Sequence, residues 1–173
     1  MENNRMLHIS TAGSRKATQW PRTEILWTEF CERLRSPIRG AETVEEYLAL
    51  PKSRQAELKD VGGFVGGTFR GDRRKAANVE GRDLVTLDLD SIPAGQTDDI
   101  LRRVGGLGCA ALVYSTRKHT GYAPRLRVII PLDRTATADE YEPAARKLAS
   151  LLGMELCDQA TEAFCRFYKL YNR

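Results

Sequence analysis

The chain has 173 residues, 42% of them hydrophobic, and a formal net charge of +4. This length suits one compact domain, and the composition is sufficient for a packed core, which excludes a disordered chain. There is no signal-peptide pattern and no apolar run of 18 residues, so we expect no membrane span. The four cysteines lack CxxC spacing, which favours a reduced, cytoplasmic protein without a zinc site.

The first part of the chain is predicted to be a polar segment followed by short helices. Residues 1 to about 21 are expected to form either a flexible tail or an edge strand through Leu7 and Ile9. Apolar residues at helical spacing, threonines at the starts and prolines at the ends then predict three helices. These helices cover Thr23–Arg35, Thr43–Leu50 and Ser53–Lys59. We therefore divide the chain into an N-terminal tail and helical part, 1–60, and a second part, 61–173.

A glycine-rich and basic segment opens the second part. Two glycine pairs flank Phe64-Val65, and Arg70, Arg73, Arg74 and Lys75 follow. Glycine-rich backbone beside cations can approach phosphate closely. The segment matches neither a P-loop nor a dinucleotide fingerprint. It is therefore either a nucleic-acid or nucleotide contact, or a hairpin with a solvated basic turn.

From Asp83 onward, strands and helices alternate regularly. Strands are predicted at Leu84–Asp90, Cys109–Ser115, Arg125–Leu132 and Met154–Cys157, and helices at 97–104 and 137–152. Pro143 should either kink the second helix or move its start toward Tyr141. The order is β-α-β-β-α-β, which is typical of the ferredoxin-like or RRM-like α+β fold with an antiparallel sheet. In this order the first and third strands become neighbours at the centre of the sheet.

Two aspartates at the end of the first of these strands suggest a metal site. Asp88 and Asp90 point to the same side of the strand, because side chains alternate with a period of two. Two close carboxylates repel each other unless a cation lies between them, and Mg²⁺ or Mn²⁺ prefers such oxygens. Asp158 would complete a carboxylate trio for two ions, with Asp133 as its rival. The alternative is that these acids only begin turns.

Further polar residues are expected to converge on the same sheet face. His119 lies in the polar loop that follows Ser115, and Arg125 and Arg127 lie two apart on the next strand. Imidazole and guanidinium donors suit the oxygens of a triphosphate. The alternatives are an exposed loop histidine and arginines that only cover a solvated strand.

These motifs together resemble the archaeo-eukaryotic primase (primase-polymerase) superfamily, and in particular phage and prophage proteins that carry a primase domain ahead of a helicase. The motifs are Leu84–Asp90, Tyr114–Thr120, Pro124–Leu132 and Glu140–Arg146. The resemblance implies an RRM-like catalytic module with an added N-terminal helical part. It also implies that Asp88, Asp90 and Asp158 bind metal and that His119 contacts the phosphates of the incoming nucleotide. The family's second motif is usually Ser-x-His, whereas three residues separate Ser115 from His119.

The function expected from this resemblance is a DNA-dependent primase-polymerase that uses Mg²⁺ or Mn²⁺. Its catalytic residues would be Asp88, Asp90, Asp158 and His119. Its nucleotide contacts would be Ser115, Lys118, His119, Arg125 and Arg127. Nucleoside triphosphates, a single-stranded DNA template held by the basic cluster, and a helicase domain or subunit would be its partners. The alternatives are an inert RRM-like nucleic-acid-binding module and a metal-dependent nuclease.

Overall fold

The structure, a computed structural model, describes residues 4–153. This part of the chain contains seven strands and five α-helices arranged around two antiparallel sheets, which is an α+β fold as predicted. The elements in chain order are β1 (Met6–Ala12), β2 (Arg22–Leu26), α1 (Trp27–Arg35), α2 (Val44–Ala49), α3 (Lys52–Leu58), β3 (Gly63–Val65), β4 (Gly67–Phe69), β5 (Val79–Leu89), α4 (Thr97–Gly105), β6 (Leu112–Ser115), β7 (Leu126–Ala136) and α5 (Ala138–Leu152). Two single-turn 3-10 helices, Arg70–Asp72 and Ala76–Asn78, connect β4 to β5.

The larger sheet has the strand order β4-β5-β7-β6. The long strands β5 and β7 are paired at its centre, and β6 pairs with the other side of β7. The first and third strands of the predicted β-α-β-β-α order are therefore neighbours, as the sequence indicates. The predicted strand Met154–Cys157 and Asp158 lie outside the described residues.

One face of the larger sheet is covered by α4 and α5. Alternate residues of β5, namely Val85, Leu87 and Leu89, point to this side and are at most 1% exposed. They pack against Ile100 of α4 and Tyr141 of α5 in one core cluster. Because the strand period is two, the residues between them must face away from the helices.

The opposite face carries a second core, which joins the two sheets. Leu84 and Ile129 of the larger sheet pack with Leu7, Trp20 and other side chains of the N-terminal part. Farther along the same face, Thr86 is still buried, whereas Asp88 is not. The N-terminal part therefore covers one end of this face and leaves the Asp88 end more accessible.

The smaller sheet has the order β2-β1-β3, and it corrects the expectation for the N-terminus. β1 is its middle strand, so neither a flexible tail nor an edge strand is right. β3 pairs with β1 at Ser10–Ala12, and Leu7 and Ile9 are buried because they pack in one core cluster with Leu84 and Ile129 of the larger sheet. β3 belongs to this sheet although it follows residue 60.

The predicted helix Thr23–Arg35 is wrong in its first turn, where residues 22–26 form β2. Ile25 lies opposite Leu7 and is 1% exposed, and the Thr23 hydroxyl hydrogen-bonds that of Thr11 at 3.1 Å. Pairing with β1 therefore prevails over the local helical pattern. The helix begins at Trp27, where the N–H of Leu26 donates to the Glu29 carboxylate at 3.3 Å.

The other predicted helices are confirmed to within one or two residues. Thr43 caps α2 by accepting from the N–H of Glu46 at 3.2 Å. Pro143 does not delay α5, which begins at Ala138, because Thr137 and Glu140 stabilise its first turn. None of the helices within residues 4–153 combines the length and the apolar character needed to cross a bilayer.

Candidate active site

The central pair of the candidate site is Asp88 on β5 and Arg127 on β7. The two residues lie directly opposite each other in the sheet. Arg127 Nε donates to Asp88 Oδ1 at 2.5 Å, and Arg127 Nη2 donates to Oδ2 at 3.0 Å. The arginine side chain is 2% exposed and the aspartate side chain 26%. This is a bidentate ion pair, which fixes the Asp88 carboxylate in one orientation.

The environment of Arg127 keeps it charged. Burial by itself lowers the pKa of Arg127, but Tyr114 and Asp88 raise this pKa by more, so the net pKa lies above its usual range. The guanidinium also donates to the Tyr114 hydroxyl at 3.3 Å. Arg127 is therefore a structural cation that is held beneath the surface. It is not placed as an open phosphate contact, which is a difference from the sequence expectation.

A second, more exposed ion pair continues the site toward solvent. Arg125 Nη1 lies 3.0 Å from Asp90 Oδ2, and the two side chains are 35% and 33% exposed. The structure thus brings Asp88, Asp90, Arg125 and Arg127 together at one end of the sheet, as the strand order indicates. What the sequence did not indicate is that each aspartate is compensated by an arginine.

The carboxylates offer a partial ligand set for a divalent cation. A carboxylate has about four acceptor positions, so the two bonds from Arg127 leave positions on Asp88 open. Within residues 4–153 there is no group of three or more His, Cys, Asp or Glu side chains that could hold a metal ion. Asp133 is six residues beyond Arg127 on the same strand, about 20 Å away. Asp133 therefore does not join Asp88 and Asp90, and Asp158 lies outside the described residues.

His119 adjoins this site through the backbone of Arg125. The N–H of Arg125 donates to His119 Nδ1 at 3.1 Å. The carbonyl of Arg125 is also close, at 3.3 Å, but it already accepts from the N–H of Thr116 at 3.0 Å. An Nδ1 that accepts must be unprotonated, so the proton of a neutral His119 is on Nε2. The opposite edge of the ring is then a donor, as a phosphate contact requires.

A cavity of about 310 Å³ lies next to His119. Its lining comes from two distant parts of the sequence, the segment 37–44 that leads into α2 and the segment 115–119 that begins at the end of β6. Ser115 and His119 are among the lining residues, whereas Asp88 and Asp90 are not. Lys118 is half-buried in the same loop. The predicted serine and histidine therefore share this cavity, which is linked to Asp90 through His119 and Arg125.

The predicted nucleic-acid-binding cluster lies far from the acids. Arg70, Arg73 and Lys75 are exposed, and Arg74 stacks over the ring of Trp20 at 4.7 Å. These residues precede β5, whose first residue Val79 is nine positions before Asp88. At the rise of an extended strand this separation is about 30 Å. The structure does not bring the cluster into the site.

The comparison with protein families gives one match that spans almost the whole chain. The model described as VapE N-terminal domain matches residues 1–169. This chain belongs to the VapE N-terminal domain family. The family is associated with phage and prophage proteins and with replication, which agrees with the coarser part of the sequence resemblance. No match was found among curated proteins or among solved structures.

The residues of this VapE N-terminal domain that sequence analysis missed are those between α1 and α2. Arg39 and Glu42 line the cavity together with Arg117. Arg117 Nη2 donates to Glu42 at 2.8 Å, and its guanidinium stacks over Tyr47 at 4.5 Å. The sequence pattern of the segment, SPIRGAET, indicates a loop but carries no signal that it meets residue 117.

Proposed function

We propose that this VapE N-terminal domain is a DNA-dependent primase-polymerase of a phage or mobile element. It would join nucleoside triphosphates on a single-stranded DNA template during the priming of replication. The observation that supports this most is the convergence of Asp88, Asp90 and Arg125 at one end of the sheet, with His119 hydrogen-bonded to the backbone of Arg125. The family's association with phage and with replication supports the biological context.

In this proposal the paired arginines have different tasks. Arg127 positions the Asp88 carboxylate from below, because it is buried and bidentate. About one third of the Arg125 side chain is exposed, so Arg125 can leave its ion pair with Asp90 and bind the phosphate of a nucleotide instead. Mg²⁺ or Mn²⁺ held by Asp88, Asp90 and Asp158 would supply the activation of the attacking hydroxyl and the stabilisation of charge on the phosphate. His119 would donate from Nε2 to a phosphate oxygen.

The template is assigned to the basic cluster of Arg70, Arg73, Arg74 and Lys75. Since this cluster precedes Val79, the end of β5 that lies about 30 Å from Asp88 along the strand, it would hold the template at a distance from the reacting atoms. Contacts of lysine and arginine with a phosphate backbone release counterions, so template binding should weaken steeply with salt. A helicase domain or subunit is the expected neighbour of such a priming module.

Primer synthesis tests the proposed function directly. The full chain is incubated with single-stranded DNA, labelled nucleoside triphosphates and Mn²⁺ or Mg²⁺, and the products are separated by size. We expect extension products with the wild-type chain and none with Asp88→Ala combined with Asp90→Ala. Full activity in this double variant would refute the assignment of the acids.

The matched control is Asp98→Ala combined with Asp139→Ala. These two exposed aspartates lie on α4 and α5, away from the ion-paired face, so their loss removes the same charge without touching the site. The control variant should retain full primer synthesis. If it loses activity as well, the effect of the first variant is one of net charge and not of the site.

A second candidate is a nucleic-acid-binding module without chemistry. The pairing of both aspartates with arginines favours it, because the carboxylate charges are then compensated without a metal ion. In this case single-stranded DNA should bind with equal affinity in EDTA and in Mn²⁺, and loss of Asp88 should not change that affinity. No primer should be made under any condition.

A further inference from the structure

The cavity between segments 37–44 and 115–119 has the composition of a site for a phosphorylated ligand. Its volume of about 310 Å³ is at the lower end of the range of ligand pockets. Its lining includes the polar residues Ser115 and His119. It also includes the apolar residues Pro37 and Ile38, and Ile38 is 61% exposed. A pocket with both characters suits a ligand that is partly charged and partly aromatic.

Arg39 supplies the charge that this cavity needs for an anion. It is exposed and lines the cavity, and it makes no ion pair within residues 4–153. The other arginine of the lining, Arg117, is 15% exposed and is already compensated by Glu42. The cavity therefore carries one net positive charge, beside a histidine whose Nε2 is a donor. Guanidinium and imidazole donors together are typical of phosphate recognition.

The N-terminal side of the cavity is held in place by Arg117. This side chain contacts three parts of the helical region, because it pairs with Glu42, stacks on Tyr47 and donates to the carbonyl of Leu58 at 3.4 Å. The backbone of Gly40 passes so close to Arg117 that a Cβ there would clash with the guanidinium. The segment carrying Arg39 is therefore fixed against the loop carrying His119.

We propose that this cavity binds the nucleoside triphosphate, with Arg39 as a phosphate contact and Pro37 and Ile38 as the apolar surface beside the nucleoside. The proposal rests on the proposed function and adds to it a side of the substrate site that comes from the helical region. Arg117 is a positioning residue, since its own charge is used within the protein. The ligand contacts of this cavity do not require the acidic pair.

Equilibrium binding of a fluorescent, non-hydrolysable nucleoside triphosphate analogue to the full chain tests the proposal. The experiment is done in EDTA, where metal ligation by Asp88 and Asp90 plays no part. Arg39→Gln should raise the dissociation constant by about ten-fold, the loss of one charge-assisted contact. Arg33→Gln is the matched control, because Arg33 is exposed on α1 and does not line the cavity. This control should bind as the wild type does.

Competition identifies the part of the ligand that is recognised. Inorganic tripolyphosphate should displace the analogue from the wild-type chain and displace it poorly from Arg39→Gln. An Arg39→Gln chain that binds the analogue as tightly as the wild type overturns the proposal. So does a result in which Arg39→Gln weakens only the binding of a single-stranded oligonucleotide, because the cavity would then serve the nucleic acid.

These outcomes separate this proposal from the proposed function. If the analogue binds in EDTA through Arg39 but no primer is ever made, the cavity is a nucleotide site of a non-polymerising protein, and the present proposal stands. If Arg39→Gln makes primers at the wild-type rate, and this rate depends on nucleotide concentration as it does in the wild type, the present proposal fails and the proposed function stands.

Discussion

At the scale of single residues, Arg127 is the side chain on which the geometry of the site depends most. A buried cation that loses its partner, or a carboxylate that loses a buried cation, is costly. Arg127→Met should therefore lower the free energy of unfolding by about 3 kcal/mol. This is the lower end of the range for breaking a buried ion pair, because about a quarter of the Asp88 side chain is exposed. Urea denaturation followed by circular dichroism measures this change.

Arg125→Met is the matched control for this prediction. It breaks the neighbouring pair with Asp90, in which both side chains are about a third exposed, so stability should change by no more than about 1 kcal/mol. Equal destabilisation by the two substitutions would mean that the burial of Arg127 does not set its importance. If both substitutions change stability by no more than about 1 kcal/mol, the Asp88–Arg127 pair is an ordinary surface contact.

His119 combines a structural and a chemical task that two substitutions can separate. Asn has an oxygen near the position of Nδ1 and so keeps an acceptor for the N–H of Arg125, whereas Ala removes it. His119→Ala should lower the free energy of unfolding by about 1 kcal/mol, and His119→Asn by less. Both should weaken triphosphate binding, because neither has the Nε2 donor. If His119→Asn binds the triphosphate normally, the histidine only closes its loop.

At the scale of elements, the start of α5 provides a test by pH. Glu140 accepts hydrogen bonds from Arg134 and from the N–H of Thr137, and these lower the pKa of Glu140 to about 2. Its stabilising effect is complete above the ordinary glutamate pKa of 4.5 and is lost as the pH falls toward 2. The melting temperature of Glu140→Gln should therefore lie below that of the wild type near neutral pH, and the two should converge in acid.

Glu142→Gln is the control for this pH dependence. Glu142 pairs with Arg146 on the same helix but takes no part in the cap, so its loss should change the melting temperature less. Because Glu140 and Arg134 are exposed, added salt should reduce the difference between wild type and Glu140→Gln. A difference that persists unchanged down to pH 2 would contradict the assignment.

The elements also show which features the sequence could predict. The caps at Thr43 and Thr137 and the alternation in β5 are local signals, and the structure confirms the elements that they indicate. β2 is different, because Thr23–Ile25 fit a helical pattern as well as a strand, and only pairing with β1 decides between them. The position of β1 in the middle of its sheet likewise depends on β3, which lies more than 50 residues away in sequence.

At the scale of the whole molecule, strand order was enough to predict that Asp88, Asp90, Arg125 and Arg127 converge. It was not enough to predict their pairing, since the facing of Asp88 and Arg127 depends on the register between β5 and β7. The cavity beside His119 could not be predicted either, because its lining joins segments about 75 residues apart through Arg117 and Glu42. Sequence motifs indicate the chemistry of a site better than they indicate its full lining.

The division at residue 60 leads to a prediction about the whole molecule. A fragment of residues 61–173 would expose Leu84 and Ile129, which pack with Leu7 and Trp20 in the full chain. The fragment would also lack Arg5 and His8, which both contact the fully buried Asp83. Arg5 Nη2 lies 3.1 Å from Asp83 Oδ2, and the His8 N–H donates to the same oxygen at 2.7 Å. We therefore expect this fragment to show no cooperative unfolding in urea.

Asp83 explains why the loss should be large. Burial raises the pKa of Asp83, but hydrogen bonds from Thr135 and the His8 N–H and the charge of Arg5 lower it by more, so the net pKa lies below its usual value. Without residues 1–60 two of these three compensations disappear, so the fragment must either keep Asp83 buried without its cation, at a cost of several kcal/mol, or open this end of the sheet to water. Addition of a separate 1–60 chain should restore cooperative unfolding, since it supplies β1, Arg5 and His8 again. A 61–173 fragment that unfolds cooperatively at the midpoint of the full chain would show that the second part is stable without these contacts.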